Sequence, residues 1–154
     1  LTGYPEVTSI KDLGTLFSSP WKKKIAAIDG KTLTLDQIEH DILRPEFQDA
    51  RVHFAINCAA ISCPPLGAEP YEADRLDKQL DAATTAFINR ADRNFLKGDT
   101  LYVSRIFKWF GSDFRPDVAA FVENYALGAL KVGIAASQKL EVRYLDYDWS
   151  LNGE

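Results

Sequence analysis

Both cysteines and one of the two histidines of this chain fall in one stretch, Arg51 to Leu66, RVHFAINCAAISCPPL. Thiols, an imidazole and a carboxamide this close in sequence point to three chemistries: a nucleophile, a disulfide or a metal site. In the first, Asn57 caps a short helical turn starting at Cys58. A cysteine in a first turn meets unpaired N–H groups and the positive end of the helix dipole, and both favour thiolate. Cys58 is then the nucleophile, and the N–H groups of Cys58 and Ala59 can hold an oxyanion.

The base is His53 or His40. On a straight strand His53 and Asn57 stand ~13 Å apart, beyond hydrogen-bond reach. His53 therefore serves only if the chain folds back, which more naturally brings Cys63 over it; His40 arrives from the preceding helix. Glu39 or Asn57 is the orienting group. Arg44 or Arg51 is the anion holder, and Ser62 a further binding residue.

A Cys58–Cys63 disulfide is the second chemistry, and it requires an irregular loop. In a regular helix five residues advance ~7.5 Å, beyond ordinary disulfide spacing, so a helical Cys58 and a disulfide exclude each other. The third is a Cys2His2 set from His40, His53, Cys58 and Cys63, but the histidine spacing of 13 does not resemble a zinc finger. No metal or cofactor is expected. Buried, inert thiols are the plain alternative to all three.

The positioning elements are read from periodicity and stop signals. Thr2–Pro5 is an opening loop. Ser9–Phe17 is a short helix, with Ile10, Leu13 and Phe17 at helical spacing. Lys24–Ile28 and Lys31–Leu33 are strands joined by Asp29-Gly30, a two-residue hairpin turn. Thr34 and Gln37 form a capping box for a helix over Leu35–Arg44, stopped by Pro45. That helix puts Glu39 on its apolar face, where a carboxylate needs a partner, and turns His40 toward Arg44. Arg51–Asn57 alternates, with Val52, Phe54 and Ile56 on one face of a strand and Arg51 and His53 on the other.

Tyr71–Ala91 is the longest helix, with a stripe of Leu76, Leu80, Ala83, Phe87 and Ile88. Leu101–Val103 and Leu140–Leu145 are strands. Ser104–Phe110 is a helical turn or two closed by Gly111. Pro116 suits a first helical position, and Val118, Phe121, Val122 and Tyr125 make a further helix followed by Gly128. Tyr144, Tyr147 and Trp149 form an aromatic tail that packs down. Strands and helices do not alternate regularly and no Gly-rich phosphate loop occurs. The fold class is α+β, a small, mainly antiparallel sheet with helices packed on it.

Length bounds the chain at a single domain over 1–154. A net charge of −4 lacks the basic footprint that nucleic acid needs. Lys22, Lys23 and Lys24 beside Trp21 are the one basic cluster, read as a solvated strand start. No apolar run reaches the ~20 residues of a membrane span. The expected partner is a small molecule or a peptide.

The blocks LTLDQIEHDILR, ARVHFAINCAAISCPPL, SRIFKWFGSDF and YLDYDWSLN together resemble the family catalogued as domain of unknown function 547. The resemblance carries Glu39, His40, Arg44, His53, Asn57, Cys58, Ser62, Cys63, Pro64 and Pro65 over as motif positions, without a catalytic role. It implies a bacterial, exported setting, periplasmic or secreted. It also implies an upstream helix before Tyr4-Pro5. With Leu1 first and no methionine, the chain reads as truncated on that side, with an apolar groove where the helix would dock. Two function classes follow: a thiol hydrolase or transferase built on Cys58, and a non-catalytic extracytoplasmic interaction module braced by Cys58–Cys63.

Overall fold

The structure, a computed structural model, describes residues 7–14 and 19–152. The opening loop at 2–5, and Phe17 at the end of the first expected helix, lie outside the described residues. The fold is α+β: a two-stranded antiparallel ribbon, a three-stranded mixed sheet and helices. The chain divides into two compact units. One holds the chain up to Asp49, with Cys58–Cys63 and the segment from Asp148 onward; the other holds Ala50–Asn57 and Pro64–Tyr147.

In the first unit, Ile10–Leu13 is a single 3-10 turn capped by Ser9. The N–H groups of Thr8 and Ser9 donate to Asp12 and hold its carboxyl below the usual carboxylate range. The hairpin forms as expected. β1 (Lys24–Ile28) and β2 (Lys31–Thr34) pair in register from Ile28↔Lys31 to Lys24↔Thr34, with an irregularity between Lys24 and Ala26. Asp29 (φ 50°) and Gly30 (φ 74°) supply the positive φ that the two-residue turn requires. The capping box is present too: Thr34 Oγ1 accepts from Gln37 N at 3.0 Å, and Gln37 Oε1 from Thr34 N at 3.1 Å.

The helix that follows departs from expectation. α1 (Leu35–Gln37) passes into a π-helix over Ile38–Phe47 that contains Pro45 instead of stopping before it. A proline in a regular α-turn lacks a donor and crowds the preceding turn. The wider π turn, bonded i to i+5, gives the ring room. The helix ends at Gln48 (φ 50°), whose N–H returns to Arg44 O at 3.2 Å.

The second unit carries the larger core. α2 is Leu76–Ile88, shorter at both ends than the expected Tyr71–Ala91. Its buried stripe is Leu80, Thr84, Phe87 and Ile88, and Thr84 satisfies its hydroxyl on Leu80 O at 2.7 Å. β3 (Phe95–Lys97) pairs antiparallel with β4 (Thr100–Val103), and β4 pairs parallel with β5 (Glu141–Tyr144). α3 (Ile106–Trp109) lies within the expected helical turn or two over Ser104–Phe110, and α4 (Val118–Tyr125) falls where the apolar spacing placed it. Pro116, however, precedes the helix: Asp117 is the N-cap, accepting from Ala120 N. Gly128 opens a further helix, α5 (Gly128–Ala136), that the sequence did not announce, because GALKVGIAA is apolar apart from Lys131 and lacks a one-sided stripe.

The expected strand Arg51–Asn57 is a 3-10 helix over Ala50–Phe54. Among the described residues no strand pairs with it, and its backbone bonds locally: Ala55 N and Ile56 N both donate to Val52 O. Val52, His53 and Phe54 are buried at successive positions, which no strand with one solvated face allows. Phe54, 1% exposed, sits 5.3 Å from Phe87, 5.7 Å from Phe107 and 6.1 Å from both Phe114 and Phe121. Two asparagines tie the helix ends to this core. Asn94 donates to Phe87 O and accepts from Ser104 N; Asn89 donates to Tyr125 O and accepts from Leu127 N. Tyr147 packs on Trp109 at 4.8 Å, and burial pushes its hydroxyl up to about 12, opposed by the Arg93 cation.

Two outcomes follow from this packing. Phe54→Ala lowers stability by about 3–5 kcal/mol in denaturant titration. In absorbance titration Tyr147 ionises well above the ordinary tyrosine pKa of about 10. Its folded pKa exceeds the unfolded one, so its stabilising share is complete below about pH 10 and is lost as pH rises through about 12. Tyr147→Phe removes that loss.

Candidate functional site

Cys58 does not begin a helix. It lies in an irregular loop and is joined to Cys63 by a disulfide, with Cα atoms 6.2 Å apart, inside the ordinary range. Asn57 is not a helix cap either. Its side-chain amide donates to Pro64 O at 2.8 Å, bridging the residues on either side of the loop. The Cys2His2 arrangement fails with both sulfurs bonded to each other.

The loop is held by backbone bonds within its own unit. Ala60 pairs antiparallel with Leu151. Ile61 N donates to Ser150 O at 2.8 Å, and Ser62 N to Asp148 O at 3.2 Å. Asn152 N donates to Ala59 O at 3.0 Å, while Asp148 N donates to the Ser62 hydroxyl at 2.9 Å. Ser62 is thus buried as the acceptor that ends a short ladder. The same closing segment continues to the start of the chain, with Leu151 N on Thr8 O and the Ser9 hydroxyl on Trp149 O. Trp149 lies 6.0 Å from Trp21 and beneath the Lys11 ammonium at 3.8 Å.

Inside the loop, Cys58 N donates to Cys63 Sγ at 2.9 Å and Cys63 N to Ala60 O at 2.9 Å. Ala59 is left-handed (φ 63°), a conformation an alanine keeps only where its surroundings enforce it. Cys63 is buried and Cys58 half-buried; Ile61 is 42% exposed.

The remaining candidates stand as follows. His40 lies toward Arg44, as expected: Arg44 Nη1 meets His40 Nδ1 at 3.1 Å, and the other ring nitrogen is 3.9 Å from Asp36. Glu39 is half-buried on the same π-helix. In the second unit, the Arg51 guanidinium spans Asp77 at 2.7 Å and Asp81 at 2.8 Å, one helical turn apart on α2. Tyr125 donates to the same Asp81 oxygen at 3.1 Å.

His53 is the more enclosed of the two histidines. Its side chain is 2% exposed, it stacks on Phe110 at 4.1 Å, and its Nε2 meets Asp113 Oδ2 at 2.8 Å. Sequence reasoning missed Asp113, sixty residues away. The available signal was the turn Gly111-Ser112-Asp113 closing the block SRIFKWFGSDF. A cleft of about 410 Å³ lies beside α5, but its polar lining, Asn89 and Asn94, already makes the helix-end bonds described above. Among the described residues no group of histidines, cysteines and carboxylates forms a metal cluster, and no helix is long and apolar enough to cross a membrane.

A family model described as "Protein of unknown function, DUF547" matches residues 7–88. No curated protein and no solved structure matches the chain.

Removing the carboxylate from the buried imidazole has a measurable cost. Asp113→Ala lowers stability by about 1–3 kcal/mol in urea titration, the range for depriving a buried polar group of its partner.

Proposed function

The chain belongs to the DUF547 family, proteins of unknown function, and from that premise we propose a non-catalytic interaction module whose braced loop, Cys58–Cys63, recognises a small molecule or a peptide. The observation that carries this reading is the disulfide. It removes the thiolate that a cysteine nucleophile requires. It also leaves a short loop with one backbone arrangement, so a partner meets a surface already ordered and spends less conformational entropy on binding. Ile61 is the exposed apolar contact on that loop. Disulfides persist in oxidising compartments, which favours an extracytoplasmic setting.

One observation favours the rival thiol enzyme. Once a dithiol has reduced the disulfide, its own two thiols becoming the new disulfide, the half-buried Cys58 is the more accessible of the two freed thiols and the one placed to act as nucleophile, Cys63 being buried. In that reading His40 or His53 is the base, Glu39 or Asn57 the orienting group, and Arg44 or Arg51 the anion holder.

Iodoacetamide labelling of the native, unreduced protein across pH, read site by site by mass spectrometry, separates the two. The interaction module yields no adduct on Cys58 or Cys63 until a reductant is added. Rapid labelling of Cys58 well below its ordinary pKa of about 8.5 sinks the module reading and restores the nucleophile.

A further inference from the structure

The β1–β2 ribbon has open edges and unneutralised charge. It is a sheet of two strands, and among the described residues no backbone group outside the ribbon bonds to residues 24–33. Its closing pair, Ile28↔Lys31, flanks a two-residue turn and is of the bonded kind. The next pair, Ala27↔Thr32, is therefore of the non-bonded kind, and its N–H and C=O groups point outward from the two edges. A two-stranded ribbon by itself is marginal in water, and an additional strand would satisfy these groups.

The charge on the ribbon is one-sided. Lys22, Lys23, Lys24 and Lys31 are all exposed, and the one carboxylate in this stretch is Asp29. None of the four lysines makes an ion pair with a described residue. The whole chain carries a net charge of −4, so this is a local reversal of sign. Apolar side chains stand among the cations: Ile25 is 63% exposed and Ile28 49% exposed, with Ile28 directly across from Lys31.

We propose that the ribbon receives an extended acidic peptide segment, which adds as a third strand along one edge. Strand addition draws its affinity from main-chain bonds and its selectivity from alternate side chains. Here the lysines select carboxylates and the isoleucines receive apolar residues. A second copy of the ribbon is disfavoured, because its lysines would face these across the new pair. A lipid surface is disfavoured too, because acyl chains offer nothing to the open N–H and C=O groups.

The test is a titration of the isotope-labelled full chain with a short peptide of alternating valine and glutamate, followed by amide chemical shifts. Shifts confined to residues 22–34, weakening with added salt, support the proposal. Lys24→Glu combined with Lys31→Glu lowers the affinity about tenfold or more while the remaining amide spectrum stays native. Thr32→Pro, which removes an outward donor at an edge position that tolerates proline, weakens the complex if β2 is the receiving edge, and Ala27→Pro does so if it is β1. Four outcomes overturn the proposal. The acidic peptide leaves the ribbon unshifted; a valine–lysine peptide binds equally well; phosphatidylglycerol vesicles shift the ribbon while the peptide does not; or the ribbon shifts with protein concentration alone, showing self-pairing.

Discussion

The arrangement of the first unit depends on where the backbone of the Cys58–Cys63 loop finds its hydrogen bonds. A helical turn would have satisfied those groups internally and left Cys58 a free thiol. Instead, the carbonyl of Ala59 and the N–H groups of Ile61 and Ser62 are satisfied by the segment Asp148–Asn152. That segment is in turn paired with Thr8 and Ser9, so three stretches distant in sequence share one small ladder. The disulfide closes the loop within it. For a loop this short the chain-entropy contribution is about 2 kcal/mol, comparable with a few well-formed hydrogen bonds. Bond and ladder together explain why Ala59 is kept at positive φ.

The second unit rests on a different constraint, the burial of Phe54. A single 3-10 helix places this ring among four other phenylalanines and places His53 beside it, between Phe110 and Asp113. The same short element presents Arg51 to two aspartates on α2. Three consecutive kinds of contact, ionic, imidazole–carboxylate and aromatic, thus come from Arg51, His53 and Phe54. A strand would have sent Arg51 and His53 one way and Phe54 the other. Arg51, His53 and Asn57 have partners of their own, and the thiols have each other.

The hairpin shows what happens where neither constraint applies. Local chemistry alone, Asp29-Gly30 between two short strand-forming runs, was sufficient to specify it. Nothing described covers its edges, and its exposed isoleucines and lysines follow from that.

Features whose cause lies within a few residues were legible in the chain itself. The Asp-Gly turn, the Thr34–Gln37 capping box and the turn of His40 toward Arg44 rest on contacts between near neighbours, and the stripe of α4 and most of that of α2, Leu80, Phe87 and Ile88 but not the exposed Leu76, follow from local periodicity. The sequence also reduced the cysteine question to a choice, since a helical Cys58 and a disulfide are geometrically incompatible. Tertiary structure decided the rest. The alternation in Arg51–Asn57 describes a strand only if another strand lies alongside, and none among the described residues does, so a 3-10 helix replaces it. Pro45 stops an α-helix but not a π-helix, and α5 has no polar face to mark it. The disulfide was chosen by Asp148–Asn152, a segment some ninety residues away in sequence, whose hydrogen bonds no local pattern around Cys58 could encode.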